Sequence, residues 1–130
     1  MRLKNKVAII TGAACGIGRT TALTFAREGA NVVAADLNDN AAQNLVDEIT
    51  AQDGTASFEK VDVADPKDVH KMVENTKERH GKIDILVNNA GIVADARLIK
   101  MELEQWQRVI DVNLKGVFLC GQAVARVMET

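Results

Sequence analysis

At 130 residues the chain can bury roughly two-thirds of the surface its unfolded form exposes, enough for one core without a disulfide scaffold. Hydrophobic residues at 47% and charged residues at 26% exclude a disordered or fibrous chain, and 16 Lys and Arg against 18 Asp and Glu leave a net charge of -2, which excludes nucleic acid as an expected partner. The count of Tyr is zero, so no mechanism that needs a phenol as acid or base can run on this chain alone.

The start is a mild decoy. Met1 to Lys6 is basic, Val7 to Ile10 is apolar, and Gly12-Ala13-Ala14-Cys15 loosely resembles a lipoprotein cleavage box. The apolar stretch is shorter than the roughly 7 to 15 residues of a signal segment, and nothing approaches the roughly 18 of a membrane helix. Lys6 to Thr11 instead reads as a strand covered on both faces, followed by a helix from about Ile17 to Glu28 that Gly29 closes. Asn31 to Asp36 is a second strand. Asn38 or Asp39 caps a helix whose Ala41, Ala42, Leu45, Val46 and Ile49 recur at helical spacing until Asp53-Gly54.

Thr55 to Val61 is a weaker third strand. Asp65, Pro66 and Asp68 then mark a helix start, Val69, Met72, Val73 and Thr76 share one face, and Gly81 ends it. Ile83 to Asn88 is the fourth strand, opening into Asn89-Ala90-Gly91. A long helix from about Leu103 carries Trp106, Ile110, Asn113, Val117 and Val124 along one stripe. This alternation of strands and helices is the signature of an α/β protein with a doubly wound parallel sheet in one domain spanning residues 1–130. Such a fold would normally continue into another strand, so the pattern looks interrupted.

Between the first strand and its helix lies Thr11-Gly12-Ala13-Ala14-Cys15-Gly16-Ile17-Gly18. Glycines there let a pyrophosphate approach the free N–H groups and positive dipole end of a helix, although a tight turn with close helix packing at Gly18 would use them too. Asp36 ends the second strand 18 residues beyond Gly18, near the spacing of a carboxylate that accepts from a ribose diol; alone, it could equally be a helix cap. Loop and carboxylate together favour an adenosine ribose-phosphate ligand. A phosphate-binding NTPase loop would need a Lys where Arg19 stands and a Gly where Ala13 stands. A methyltransferase shares the acidic residue and is separated only by the remaining motifs.

Those motifs are Thr11-Gly12-x-x-x-Gly16-x-Gly18, Asp62-Val63, Asn88-Asn89-Ala90-Gly91 and Asn113. In order and spacing they resemble the short-chain dehydrogenase/reductase family along the whole chain. The resemblance implies a Rossmann fold with strand order 3-2-1-4 and a nicotinamide dinucleotide as cofactor. It implies that Gly12, Gly16, Ile17 and Gly18 line the pyrophosphate, that Asp36 holds the adenosine ribose, and that Asp62 and Val63 meet adenine. Asn88, Ala90 and Gly91 would pass the ribose on the nicotinamide side, and Asn113 matches the family's active-site asparagine.

On the residues themselves, Asp62 could be a cap, Asn88 and Asn89 could satisfy loose backbone, and Asn113, expected buried on its stripe, could serve a polar network or clip neighbouring backbone. Cys15 reads as a small side chain under the cofactor, and it and Cys120 as reduced thiols with no metal-ligand spacing. His70 and His80 are expected to be solvated. Asp95 and Arg97 could border substrate or be surface charges. Neutral Cys15 and Leu37 beside Asp36 favour NAD over NADP, since a 2′-phosphate would meet a carboxylate and no cation.

Family members use a Ser, a Tyr and a Lys four residues after that Tyr, all beyond the long helix. Here the only Ser is Ser57, on the third strand, and there is no Tyr. The expected function is therefore hydride transfer between a nicotinamide cofactor and an alcohol or carbonyl, such as a 3-oxoacyl thioester, with this chain the inactive amino-terminal half. The alternative is a non-catalytic dinucleotide-binding module. The complete protein is expected to be a cytoplasmic homo-dimer or homo-tetramer paired through the long helix, with a small-molecule substrate and no membrane partner.

Overall fold

The computed structural model describes all 130 residues. Four parallel strands, β1 (Val7–Thr11), β2 (Asn31–Asp36), β3 (Thr55–Lys60) and β4 (Ile85–Val87), lie in the order β3-β2-β1-β4 that the resemblance implies. The central pair is in register from Val7 opposite Asn31 to Thr11 opposite Ala35. Because successive side chains point to opposite faces, β1 and β2 feed two cores. Ala8, Ile10, Val32 and Ala34 pack with Ala22 and Ala26 of α1 (Gly16–Arg27) and Leu45 and Ile49 of α2 (Asp39–Ala51). Ile9, Val33 and Ala35 face the other way, onto Val69, Met72 and Val73 of α3 (Pro66–His80) and onto the C-terminal helices. Both faces of the sheet are covered, which is why the first two strands read as continuous apolar runs.

The helix signals hold. Asn38 caps α2 by accepting from the Ala41 N–H at 3.0 Å, so Asp36 is not the cap. Asp65 accepts from the Lys67 N–H at 2.9 Å with Pro66 in the first turn, and α3 stops at Gly81 in the left-handed conformation (φ 78°). His80, expected to be solvated, is half-buried, and burial together with Arg79 holds its pKa below the ordinary histidine value.

Two further expectations, about the fourth strand and the long helix, need correction. The fourth strand is shorter than Ile83 to Asn88. At its start the Asp84 carboxylate accepts from the Val7 N–H at 2.9 Å and pairs with Lys82 at 2.8 Å, so ladder pairing begins only at Ile85 opposite Ala8. At its end Thr11 takes over the pairing, as described below.

The long helix is also interrupted. It runs as α4 (Leu103–Ile110), a π turn over Asp111–Lys115 closed by the Gly116 N–H on the Asp111 carbonyl, and α5 (Gly116–Glu129). The buried positions are Val112, Gly116, Cys120 and Val124, a spacing of four. Such a stripe would drift about 120° around a regular helix over three repeats, and the wider π turn absorbs part of that drift. Trp106, Asn113 and Val117, expected on the inward stripe, are consequently exposed, as are Leu114 and Phe118. Gly116 marks the closest approach, since a Cβ there would lie 2.7 Å from Val63 Cγ2. No helix is long and apolar enough to cross a membrane.

Candidate functional site

At the carboxyl edge of the sheet a cavity of about 380 Å³ opens between the loop after β1, the ends of β2 and β3, the loop after β4, and α4. Its construction begins with Thr11, the last residue of β1, which is 1% exposed. The Thr11 hydroxyl accepts from the N–H groups of Asn89 (3.0 Å) and Ala90 (2.9 Å) and donates to the Val87 carbonyl at 3.3 Å. The Asn89 amide returns the tie, donating to the carbonyls of Thr11 (3.1 Å) and Gly12 (3.2 Å). Thr11, at the end of β1, thus fixes the loop after β4, and Asn89, in that loop, fixes the loop after β1.

The glycines divide their roles. A Cβ on Gly18 would sit 2.3 Å from the Gly12 carbonyl oxygen, and one on Gly12 would sit 2.9 Å from Ala90 Cα, so these two exist for close packing. Gly16 has φ +58° and nothing within 4 Å of where a Cβ would stand, leaving open space above the start of α1. Cys15 precedes that helix with no side-chain cap, and the first turn holds no acidic residue. The leading N–H groups of α1 therefore point, without acceptors, into the open space with the positive end of the helix dipole behind them.

Beside them stands Asp36, whose carboxylate accepts from the N–H groups of Ala14 and Asn38, each at 3.0 Å. These bonds aim the carboxylate and leave each oxygen a free lone pair. Asp62 is held similarly. Its N–H donates to Asp68 at 2.9 Å and its carboxylate accepts from Ala64 at 3.0 Å, while Val61, Val63 and Val112 supply an apolar wall.

The cavity brings together Gly12, Cys15, Gly16, Ile17, Asp36, Leu37, Asp62, Val63, Ala90 and Gly91 of the residues singled out from sequence. It does not bring in Gly18, Asn88 or Asn113. Gly18 is off the lining and packs closely against the Gly12 carbonyl and the Asn89 amide. Asn88 donates only a long 3.5 Å bond to the Val117 carbonyl. Asn113 is exposed rather than buried. Its amide accepts from the Ile92 N–H and donates to the Ile92 carbonyl, both at 2.9 Å, clipping the loop after β4 to the π turn. Asp95 and Arg97 are exposed and lie off the cavity.

Asn89 satisfies loose backbone, as one of its readings had it, but sequence reasoning missed Thr11 as its partner, and also Ile92, Val112 and Arg108 on the lining. Arg108 and Val112 are four apart on a helical segment, the spacing that puts two side chains on one face; that signal was hidden behind the stripe through Ile110 and Asn113. A donor set for a metal is not on offer, as no group of three His, Cys, Asp or Glu side chains converges anywhere in the chain.

The cavity's features fit a dinucleotide: open space over free helix amides for a diphosphate, an aimed carboxylate for a diol, and an apolar slot with an acceptor for a purine. A family model described as short chain dehydrogenase matches residues 6–130. The chain is 46% identical over 128 residues to the 3-oxoacyl-[acyl-carrier-protein] reductase FabG of Thermotoga maritima, covering 98% of this chain and 52% of that protein. It is 45% identical over 118 residues to the cyclohexanol dehydrogenase of an Acinetobacter species, covering 90% and 47%.

Among solved structures, a short-chain type dehydrogenase/reductase from Mycobacterium marinum superposes with a TM-score of 0.94 at 44% identity, covering 97% of this chain and 51% of that one. A metagenomic short-chain oxidoreductase solved in complex with NADP does so with a TM-score of 0.94 at 32% identity, covering 98% and 58%. The chain spans about half the length of the curated relatives it matches. Sheet order, glycine loop and family match agree, and the chain belongs to the short-chain dehydrogenase family.

Proposed function

We propose that residues 1–130 form the dinucleotide-binding domain of a nicotinamide-dependent oxidoreductase acting on an alcohol/carbonyl pair, with a 3-oxoacyl thioester as the substrate class suggested by the reductases it resembles. The observation that carries this reading is the Asp36 carboxylate held beside the uncapped first turn of α1. When bound, the cofactor supplies or accepts a hydride. The chain's own residues bind and orient it. Gly16 and Ile17 receive the pyrophosphate, with Gly12 and Gly18 keeping the loop close to the helix, and Cys15 and Leu37 border the ribose that Asp36 accepts from.

Asp62 and Val63 hold adenine, while Asn88, Ala90 and Gly91 carry the loop past the nicotinamide-side ribose. Asn113 acts as a positioning residue through Ile92, and its place on the π turn fits such a role, since π turns concentrate at functional sites. These residues contain no Tyr to protonate a forming alkoxide, so in this proposal they are inactive alone. The exposed Leu114, Phe118 and Met128 of the π turn and α5 form the pairing surface of a cytoplasmic dimer or tetramer.

The same carboxylate sets the cofactor choice as NAD over NADP. A 2′-phosphate at Asp36 would meet a like charge, with uncharged Leu37 next in the chain, a conflict on the order of several kcal/mol. Titrating NADH and NADPH into the complete protein tests the proposal. NADH binds more tightly, and Asp36→Ala combined with Leu37→Arg narrows or reverses the difference. Tighter NADPH binding by the unaltered protein sinks the NAD preference, and no binding of either sinks the function.

A further inference from the structure

Only four titratable side chains line the cavity: Cys15, Asp36, Asp62 and Arg108. Arg108 is its only cation, and nothing in the protein holds it. The chain's two ion pairs are Arg19 with Glu48 and Lys82 with Asp84, and the Arg108 guanidinium makes no hydrogen bond. It stands one turn before Val112 and is exposed, whereas Val112 and Val63 are buried. The two valines belong to the same core, Val63 packs against Gly116, and both line the cavity with Asp62 and with the exposed Arg108.

A long side chain with a planar, weakly hydrated cation, free of partners and set over an apolar slot, is suited to cover the π face of a ring lying in that slot. Asp62 does not claim it, since no carboxylate oxygen lies within 4 Å of the guanidinium. A flat heteroaromatic ring lying on Val63 and Val112 would present one face to the valines and the other to Arg108.

We propose that Arg108 clamps the adenine of the bound dinucleotide by stacking its guanidinium on the purine face that the valines leave open. This rests on the reading of the cavity as a dinucleotide site. It assigns Arg108 a part in affinity for the adenosine half, independent of the 2′ position and of the nicotinamide. Asp62, held by Asp68 and Ala64, then marks the ring's edge and Arg108 its outer face.

The test measures affinities of the complete protein and its Arg108→Gln and Arg108→Lys variants for NADH, ADP-ribose, AMP and reduced nicotinamide mononucleotide, with thermal unfolding alongside. The expected result for Arg108→Gln is a loss of roughly three- to thirty-fold for the three adenine ligands, the range of a partly desolvated cation–π contact. Reduced nicotinamide mononucleotide binds as before, the unfolding temperature is unchanged, and Arg108→Lys falls between.

Equal losses for all four ligands would overturn the clamp in favour of a general field or a structural role, and so would unchanged adenine affinities. A loss confined to 2′-phosphorylated ligands, checked with NADPH, would overturn it as well. If the unaltered protein binds no adenine ligand, the dinucleotide reading itself fails and the clamp with it; retained binding with an indifferent Arg108 removes the clamp alone.

Discussion

Replacing Thr11 with Val separates hydrogen bonding from apolar packing at the junction on which the site is built. The side chain is 1% exposed, and Val matches its shape, so the change opens no cavity. It removes the oxygen that accepts from both the Asn89 and the Ala90 N–H. A buried N–H left without an acceptor costs about 1–3 kcal/mol. Asn89 and Ala90 are only partly buried, so water can reach part of the gap, and the pair should cost about 2–4 kcal/mol, a large share of a typical stability of about 5–15 kcal/mol.

Thr11→Ser keeps the hydroxyl and loses one methyl, at about 1 kcal/mol. Burial alone would rank Val above Ser. The hydrogen-bond account ranks Ser above Val. Urea unfolding of the three proteins, read at matched slope, gives the order, and hydrogen exchange at Asn89 and Ala90 should quicken in Thr11→Val alone. A Val variant as stable as the Ser variant would refute the role given to this hydroxyl.

Asp84 has its pKa lowered by Lys82 first and by the Val7 N–H second, so its stabilisation is fully present above the ordinary value of 3.8 and is lost as pH falls through the depressed folded value. Acid titration of stability should show that loss in the unaltered protein and a flatter profile in Asp84→Asn; parallel profiles would contradict it. Cys15 is exposed on the cavity, whereas Cys120 is buried with its thiol pushed up to about 11. Iodoacetamide should therefore label Cys15 alone and NADH should protect it, as mass mapping would reveal; labelling at Cys120 in the native state would count against this packing. Asn113→Ala frees both backbone groups of Ile92, so it should raise exchange at Ile92 and weaken NADH binding several-fold while costing about 1 kcal/mol or less in stability. A change in stability without any change at Ile92 would place its role elsewhere.

The sheet was legible because its signals are local. Asn31 to Asp36 alternates between two covered faces and the structure keeps those bounds, and Asp65-Pro66 opens a helix where capping chemistry demands one. The ends of β4 were not legible, because Asp84 and Thr11 bond to partners distant in the chain and no periodicity records that. The long helix misled for a different reason. A regular 3.6-residue stripe through Trp106, Ile110 and Asn113 competes with a four-residue stripe through Val112, Gly116, Cys120 and Val124, and the close approach at Val63 decides for the second.

At the site, Gly16, Asp36 and Asp62 could be found by motif because their spacing follows from the strand–loop–helix geometry. Thr11 and Asn89 stand in those motifs too, but the bond between them joins residues 78 apart in the chain, and Arg108 reaches the lining from a distant helix, neither of which spacing records.

The central claim is that the cavity at the carboxyl edge of the sheet holds a nicotinamide dinucleotide with its adenosine half between Asp36 and Val63. A crystal structure of the complete protein grown with NADH tests it most directly. The account predicts diphosphate oxygens about 3 Å from leading amides of α1, the adenosine ribose hydroxyls donating to Asp36, and the purine over Val63 and Val112. Adenosine density outside this cavity, or a ribose turned away from Asp36, would contradict it.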